Sequence, residues 1–270
     1  ALEEGIITPE QEIVSTGSIS IKNPFDPTKF TVFKDWKAHG AVDMRTALAV
    51  SSDVYFYEVG GGFGTQKGLG IALIEKYARL FGFGSVPLAD FPGEAGVIPT
   101  PEWKRENFNG EAWSIGNTYH TSIGQYGFQV TPLQMARAIA AVANGGKLLE
   151  PRLIVEQGAT PSYSVLPIKT SSFEVVREGM LEAVHSGTAI GISLPGVSVG
   201  AKTGTAELGV TKKLVNSWIV GFFPYEKPRY SFAIVMEKGP RDNTIGGSFV
   251  ARQFFEWLVV NVPEYLREDF

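Results

Sequence analysis

From Gly196 onward the sequence reads as consecutive short strands, and this run constrains the fold more than any other feature. Val197–Ala206, Ser217–Phe223 and Tyr230–Glu237 are rich in aromatic and aliphatic residues, with turn signals such as Glu226-Lys227-Pro228 between them. Links this short leave no room for a crossover, so the strands must pair antiparallel. A helix over about Phe249–Val260 is expected to cover one face of that sheet.

The middle of the chain is helical. One segment runs from about Met44 to Val59 with an interruption near Ser51–Asp53, and another covers roughly Leu69–Phe81, closed by Gly82 and Gly84. Thr131-Pro132-Leu133-Gln134 is a strong helix start: threonine caps, proline suits the first turn, and glutamine reaches back to the cap. That helix runs through Ala143, and Asn144-Gly145-Gly146 supplies its exit. Ser171 with Glu174 predicts a second capping box, opening a helix that ends at Ser186-Gly187. Residues 1–40 read as loop-rich, with a short strand at Gly17–Lys22 and turn signals at Asn23-Pro24 and Asp26-Pro27 before a basic, aromatic stretch, Phe33–Trp36. Ala1–Gly5 looks like the end of a helix.

These patterns predict a mixed α/β (α+β) architecture in 270 residues, with a helical subdomain over approximately 38–150 and an active site between the two parts. A net charge of −4 without any Lys/Arg cluster argues against a nucleic-acid surface. The absence of cysteine excludes disulfides and thiolate chemistry. Trp218–Phe223 and Trp257–Val260 fall far short of the ~20 apolar residues a membrane helix needs.

Two short motifs carry chemistry. Lys202-Thr203-Gly204-Thr205, on a strand at the edge of the sheet, offers an ammonium group, hydroxyl donors and an unpaired backbone N–H. Gly204 would let a ligand lie close to the backbone. A bare Lys-Thr-Gly arises by chance in about one such chain in twenty, so the triplet alone decides nothing. Ser51-Ser52-Asp53, at the helix break, places a hydroxyl two residues from a carboxylate; by itself it reads better as a polar turn with a cap. His39 lies near Asp26, Asp35 and Asp43 in sequence, but a structural histidine is the better reading, and His120 and His185 stand apart. No metal site is expected. Trp113, Tyr119 and Tyr126 fit buried packing better than a groove lining.

Together the two motifs match the order of the Ser-Asp-Asn and Lys-Thr-Gly elements that accompany Ser-x-x-Lys in penicillin-binding proteins and class A β-lactamases. The flanks extend the match. Ala38-His39-Gly40-Ala41-Val42-Asp43, Ala47–Tyr57, Ser122-Ile123-Gly124-Gln125, Val130–Ala136, Ala143-Asn144-Gly145-Gly146, Ala201–Glu207 and Trp218–Pro224 together resemble the transpeptidase domain of class B penicillin-binding proteins. Asp53, where many relatives have asparagine, is similar to the elongation-type enzymes.

The resemblance implies a penicillin-binding protein/serine β-lactamase-like fold, incomplete at the N-terminus, and a peptidoglycan D,D-transpeptidase that works through a serine acyl-enzyme. Ser51 would relay a proton, Asp53 would hold the neighbouring lysine and substrate amide, and Lys202 would supply positive potential. Thr203 and Thr205 would bind the substrate carboxylate beside Gly204. No lysine here has serine three residues before it, so no nucleophile is expected in this chain. Leu2-Glu3-Glu4-Gly5 matches the end of the family's nucleophile helix, which puts Ser-x-x-Lys roughly ten residues upstream of Ala1. The expected ligands are peptidoglycan stem peptides ending in D-Ala-D-Ala and β-lactam antibiotics. Expected partners are the N-terminal portion of the same protein and a glycosyltransferase, and no cofactor is implied. The expected location is the extracytoplasmic face of the bacterial inner membrane, held by an N-terminal membrane anchor. A serine β-lactamase or D,D-carboxypeptidase, or a non-catalytic sensor domain, would share the same site logic.

Overall fold

The computed structural model describes residues 1–23, 26–88, 93–154, 160–243 and 245–267. Strands β1 (Ile13–Ser15), β2 (Ser18–Asn23), β3 (Asp26–Lys34) and β4 (Gly40–Val42) come first. Helices α1 (Met44–Val50), α2 (Asp53–Gly61), α3 (Ile71–Leu80), α4 (Pro101–Asn107), α5 (Ile115–Ser122) and α6 (Pro132–Ala143) follow. A small pair, β5 (Lys147–Leu149) and β6 (Tyr163–Val165), precedes α7 (Thr170–His185). The chain then lays down β7 (Gly200–Leu208), β8 (Leu214–Phe223) and β9 (Tyr230–Pro240) and closes with α8 (Gly247–Asn261).

The three long strands form an antiparallel sheet in the order β7-β8-β9, as the short links required. The side-chain period of two sends the residues of β8 alternately to two cores. Ile219 and Phe223 pack with Ala251, Phe255 and Leu258 of α8. Val220 and Phe222 face Ile139 and Val142 of α6 and Phe173 and Met180 of α7. Helices on both faces explain why the strand is apolar without alternation. β7 bonds to β8 on one side only, so its other edge lies open among the described residues.

The helix break is where the sequence placed it. α1 ends at Ser51, and α2 starts after Ser52, whose hydroxyl accepts from the Tyr55 N–H. α2 is buried nearly all round, with Tyr55 and Val59 in one cluster and Val54 and Tyr57 in another. It packs so closely on α5 that a Cβ on Gly60 would lie 2.3 Å from that of Ser122.

The capping box of α6 forms as predicted, and Gln134 goes further: its amide also donates to the carbonyls of Ser85 and Ala95. At the start of the chain, Ile6 N–H bonds to Ala1 O and Gly5 N–H to Leu2 O, with Gly5 at φ 62°. This is the bond pattern that closes α-helices.

Two expectations are corrected. Residues 1–40 hold more strand than the one expected at Gly17–Lys22, which forms as β2: it pairs with β3, and β1 pairs with β4. β3 shows no one-sided apolar pattern because most of its side chains, Phe30 and Val32 among them, are exposed on a projecting hairpin. The turn signal at Asn23-Pro24 leads into residues outside those described. The expected capping box of Ser171 with Glu174 does not form; α7 starts two residues earlier, with Lys169 at its cap position. Glu3 supplies the cap instead, its carboxylate accepting from the Lys169 N–H and the Ser172 hydroxyl. Among the described residues, no helix is long and apolar enough to cross a membrane.

Candidate active site

The site lies where the α1–α2 break meets the open edge of β7. Ser51 is left-handed (φ 57°, ψ 53°), a conformation that costs a non-glycine residue about 1 kcal/mol or more and that clusters at functional sites. The bend turns Ser51 toward the sheet. Lys202 Nζ, 151 positions further along the chain, donates to Ser51 Oγ at 2.8 Å and to the carbonyl of Thr203 at 2.9 Å. Ser51 Oγ accepts there, so its own hydrogen is free to donate. Asp53, the first residue of α2, stands beside the pair.

The threonines divide the edge between them. Thr203 Oγ1 donates to Thr188 Oγ1 at 2.6 Å, and the Thr188 N–H bonds to Ala49 O at 3.0 Å, tying β7 to α1. Thr205 is exposed, and its carbonyl accepts from Gln125 Nε2 at 3.2 Å. The carbonyls of Thr203 and Thr205 both take side-chain donors, Lys202 Nζ and Gln125 Nε2, on the side of β7 away from β8. In an antiparallel ladder the N–H of a residue points the same way as its C=O, so both N–H groups also face the cleft. At Gly204 an added Cβ would meet only the Trp218 Cβ at 3.5 Å. Packing within the described residues does not demand glycine there.

The electrostatics suit an anion receptor that holds exchangeable protons. Burial pushes the Asp53 carboxyl up to about 7, reinforced by the negative charge of Asp35 and opposed by Lys202. Burial brings the Lys202 ammonium down to about 8, partly offset by Asp53. The cleft is an open strand edge rather than an enclosed pocket. Two surface hollows, lined by His185, Ser198 and Glu226 and by Val86, Thr131 and Leu133, include none of these residues.

Residues 1–258 match the family model described as penicillin binding protein transpeptidase domain. The chain belongs to the penicillin-binding protein transpeptidase family. It is 33% identical over 263 residues to the peptidoglycan D,D-transpeptidase MrdA of Acinetobacter baumannii, covering 87% of this chain and 38% of that protein. It superposes on the penicillin-binding protein PBP2 of Helicobacter pylori, solved in complex with MreC, with a TM-score of 0.79 at 29% identity. That match covers 96% of this chain and 47% of the other. Pseudomonas aeruginosa PBP2 in complex with WCK 5153 gives 0.77 at 26% identity, covering all of this chain and 60% of that one. The chain thus spans less than half the length of the Acinetobacter and Helicobacter relatives.

Sequence reasoning missed the hub of this transpeptidase-family site. The Asp35 side chain is fully buried, and its Oδ2 accepts from Ser15 Oγ (3.1 Å), Ser52 Oγ (2.8 Å) and the Val54 N–H (3.0 Å). The Trp36 indole donates to the carbonyls of Val50 and Ser51. Asp35 and Trp36 thereby clamp the break from outside, and only the apposition of Asp35 with a helix start in space reveals it. The sequence neighbourhood of His39 resolves differently from its spelling: Asp26 accepts from Thr28 in the hairpin, Asp43 caps α1, and only Asp35 reaches His39, at 3.4 Å. Among the described residues no three potential ligands converge on a metal position. Tyr119 is buried and donates to Gly62 O, whereas Trp113 and Tyr126 sit half-buried in an aromatic cluster with Trp103 and Phe108.

Proposed function

We propose that this chain provides the substrate-receptor part of an elongation-type peptidoglycan D,D-transpeptidase, acting on stem peptides that end in D-Ala-D-Ala. The observation that carries this reading is the 2.8 Å contact of Lys202 with Ser51 beside the open threonine edge. An ammonium, the exposed Thr205 hydroxyl and the Thr203 hydroxyl, once turned from Thr188, make a carboxylate receptor. An outward N–H at Thr205 can receive the developing oxyanion, a donor often worth about 3 kcal/mol. The nucleophile is a serine of a Ser-x-x-Lys segment encoded upstream of Ala1.

The lysine of that segment takes the serine proton as the oxygen attacks the carbonyl carbon between the two D-alanines; the C–O bond forms, and the C–N bond then breaks. The departing amine takes a proton relayed through Ser51, which Lys202 holds and whose hydrogen is free to move. An amine of a neighbouring stem peptide attacks the ester, forms the cross-link and returns the serine. Asp53 orients the lysine of the upstream segment and the substrate amide. A helical subdomain over about 38–150 forms one wall, with α6 seated on the sheet. The MrdA identity, the MreC complex of the Helicobacter protein and Asp53 support the elongation subtype, an extracytoplasmic site and work beside a glycosyltransferase.

The test is labelling with fluorescent penicillin. The protein translated from its complete gene should form a long-lived adduct, and Lys202→Ala and Ser51→Ala should slow its formation at least tenfold. The 270-residue chain alone should take no label. Rapid release of the label indicates a β-lactamase, and stable labelling of the isolated chain refutes the assignment of the nucleophile.

A further inference from the structure

Thr205 presents both its N–H and its C=O to the cleft, but the carbonyl is already occupied by Gln125 Nε2 at 3.2 Å. The turn that delivers Gln125 is built rather than loose. Gly124, Tyr126 and Gly127 are all left-handed (φ 78°, 56° and 77°), and the Gln125 N–H is fixed on the His120 carbonyl at the end of α5. A left-handed tyrosine is an unfavourable state that needs outside support. Here Trp103 and Trp113 pack edge-on against Tyr126 while Phe108 stacks on it. Gln125 therefore reaches across to a strand 80 positions away from a braced position.

An extended peptide that lies antiparallel on a strand edge exchanges two hydrogen bonds with each outward residue. On the reading proposed above, the acyl donor's scissile carbonyl accepts from the Thr205 N–H. The amide N–H of the same donor residue must then donate to the Thr205 carbonyl. That is the position Gln125 fills. We propose that Gln125 is a specificity-determining placeholder: its amide occupies the strand edge in the free enzyme, and only a donor with an N–H next to the reacting carbonyl displaces it. The inference rests on the transpeptidase reading, which fixes Thr205 as the docking residue. A donor without that N–H leaves Gln125 bound and gains nothing from its removal, whereas a donor that has it competes with Gln125 directly.

The experiment compares acylation of the protein from its complete gene by two probes. Benzylpenicillin carries an acylamino N–H beside its lactam carbonyl, and imipenem carries a hydroxyethyl group there instead. Gln125→Met keeps the side-chain length but cannot donate, and Gln125→Ala provides a second variant. In both, the ratio of the benzylpenicillin to the imipenem second-order rate constant should rise about threefold to tenfold, the range of one neutral hydrogen bond. A ratio that stays the same or falls overturns the placeholder role while leaving the transpeptidase reading intact. Failure of both probes to acylate the wild-type protein sinks the transpeptidase reading and this inference with it.

Discussion

Lys202 and Asp53 were legible because each sits in a short motif whose neighbours repeat the family spelling. Their protonation behaviour was not legible, because it comes from burial and from Asp35, which approaches from another segment. Burial brings the Lys202 ammonium down to about 8, partly offset by Asp53, so its charge is lost as pH rises through that value. Affinity for a carboxylate-bearing probe should therefore fall as pH rises from 7 to 9, measured by acylation of the full-length protein at a series of pH values. A flat profile would deny Lys202 its role. Asp53 has the opposite linkage to an ordinary paired carboxylate. Its folded pKa is raised from 3.8 to about 7, so between those values the native state holds more protons than the unfolded one, and stability drops as pH rises through that window. Asp53→Asn removes this dependence. The difference in thermal midpoint between pH 4.5 and pH 7.5 should shrink in the variant, and an unchanged difference would contradict the shift.

At the scale of elements, local caps were readable and the long-range cap was not. Thr131 and Gln134 act within four residues, so the start of α6 could be read directly. α7 takes its cap from Glu3, more than 160 positions away, and nothing near Ser171 could announce that. Glu3→Ala should lower stability by about 1 kcal/mol, the usual effect of losing a cap, seen as a shift in the denaturation midpoint. Loss of no more than a few tenths would mean that Glu3 is only a surface contact. β3 escaped for a related reason. Phe30 and Val32 face solvent, so the chain there lacks the buried side that gives a strand its sequence pattern.

The whole molecule is built on a three-stranded sheet covered on both faces, with the outer edge of β7 unpaired among the described residues. The two cores that sandwich β8 hold that sheet rigid, while α1, tied to β7 through Thr188, brings the helix break to the edge. Antiparallel strands and a helix break are local properties, and both could be foreseen. Their meeting is a tertiary result, produced by packing that no window of sequence contains.

The most direct check is a crystal structure of the full-length protein acylated by benzylpenicillin. The ligand carboxylate is expected within hydrogen-bond reach of the Thr203 or Thr205 hydroxyl, and its former lactam carbonyl on the Thr205 N–H. An adduct whose carboxylate points away from β7, with the Lys202–Ser51 pair untouched, would contradict it.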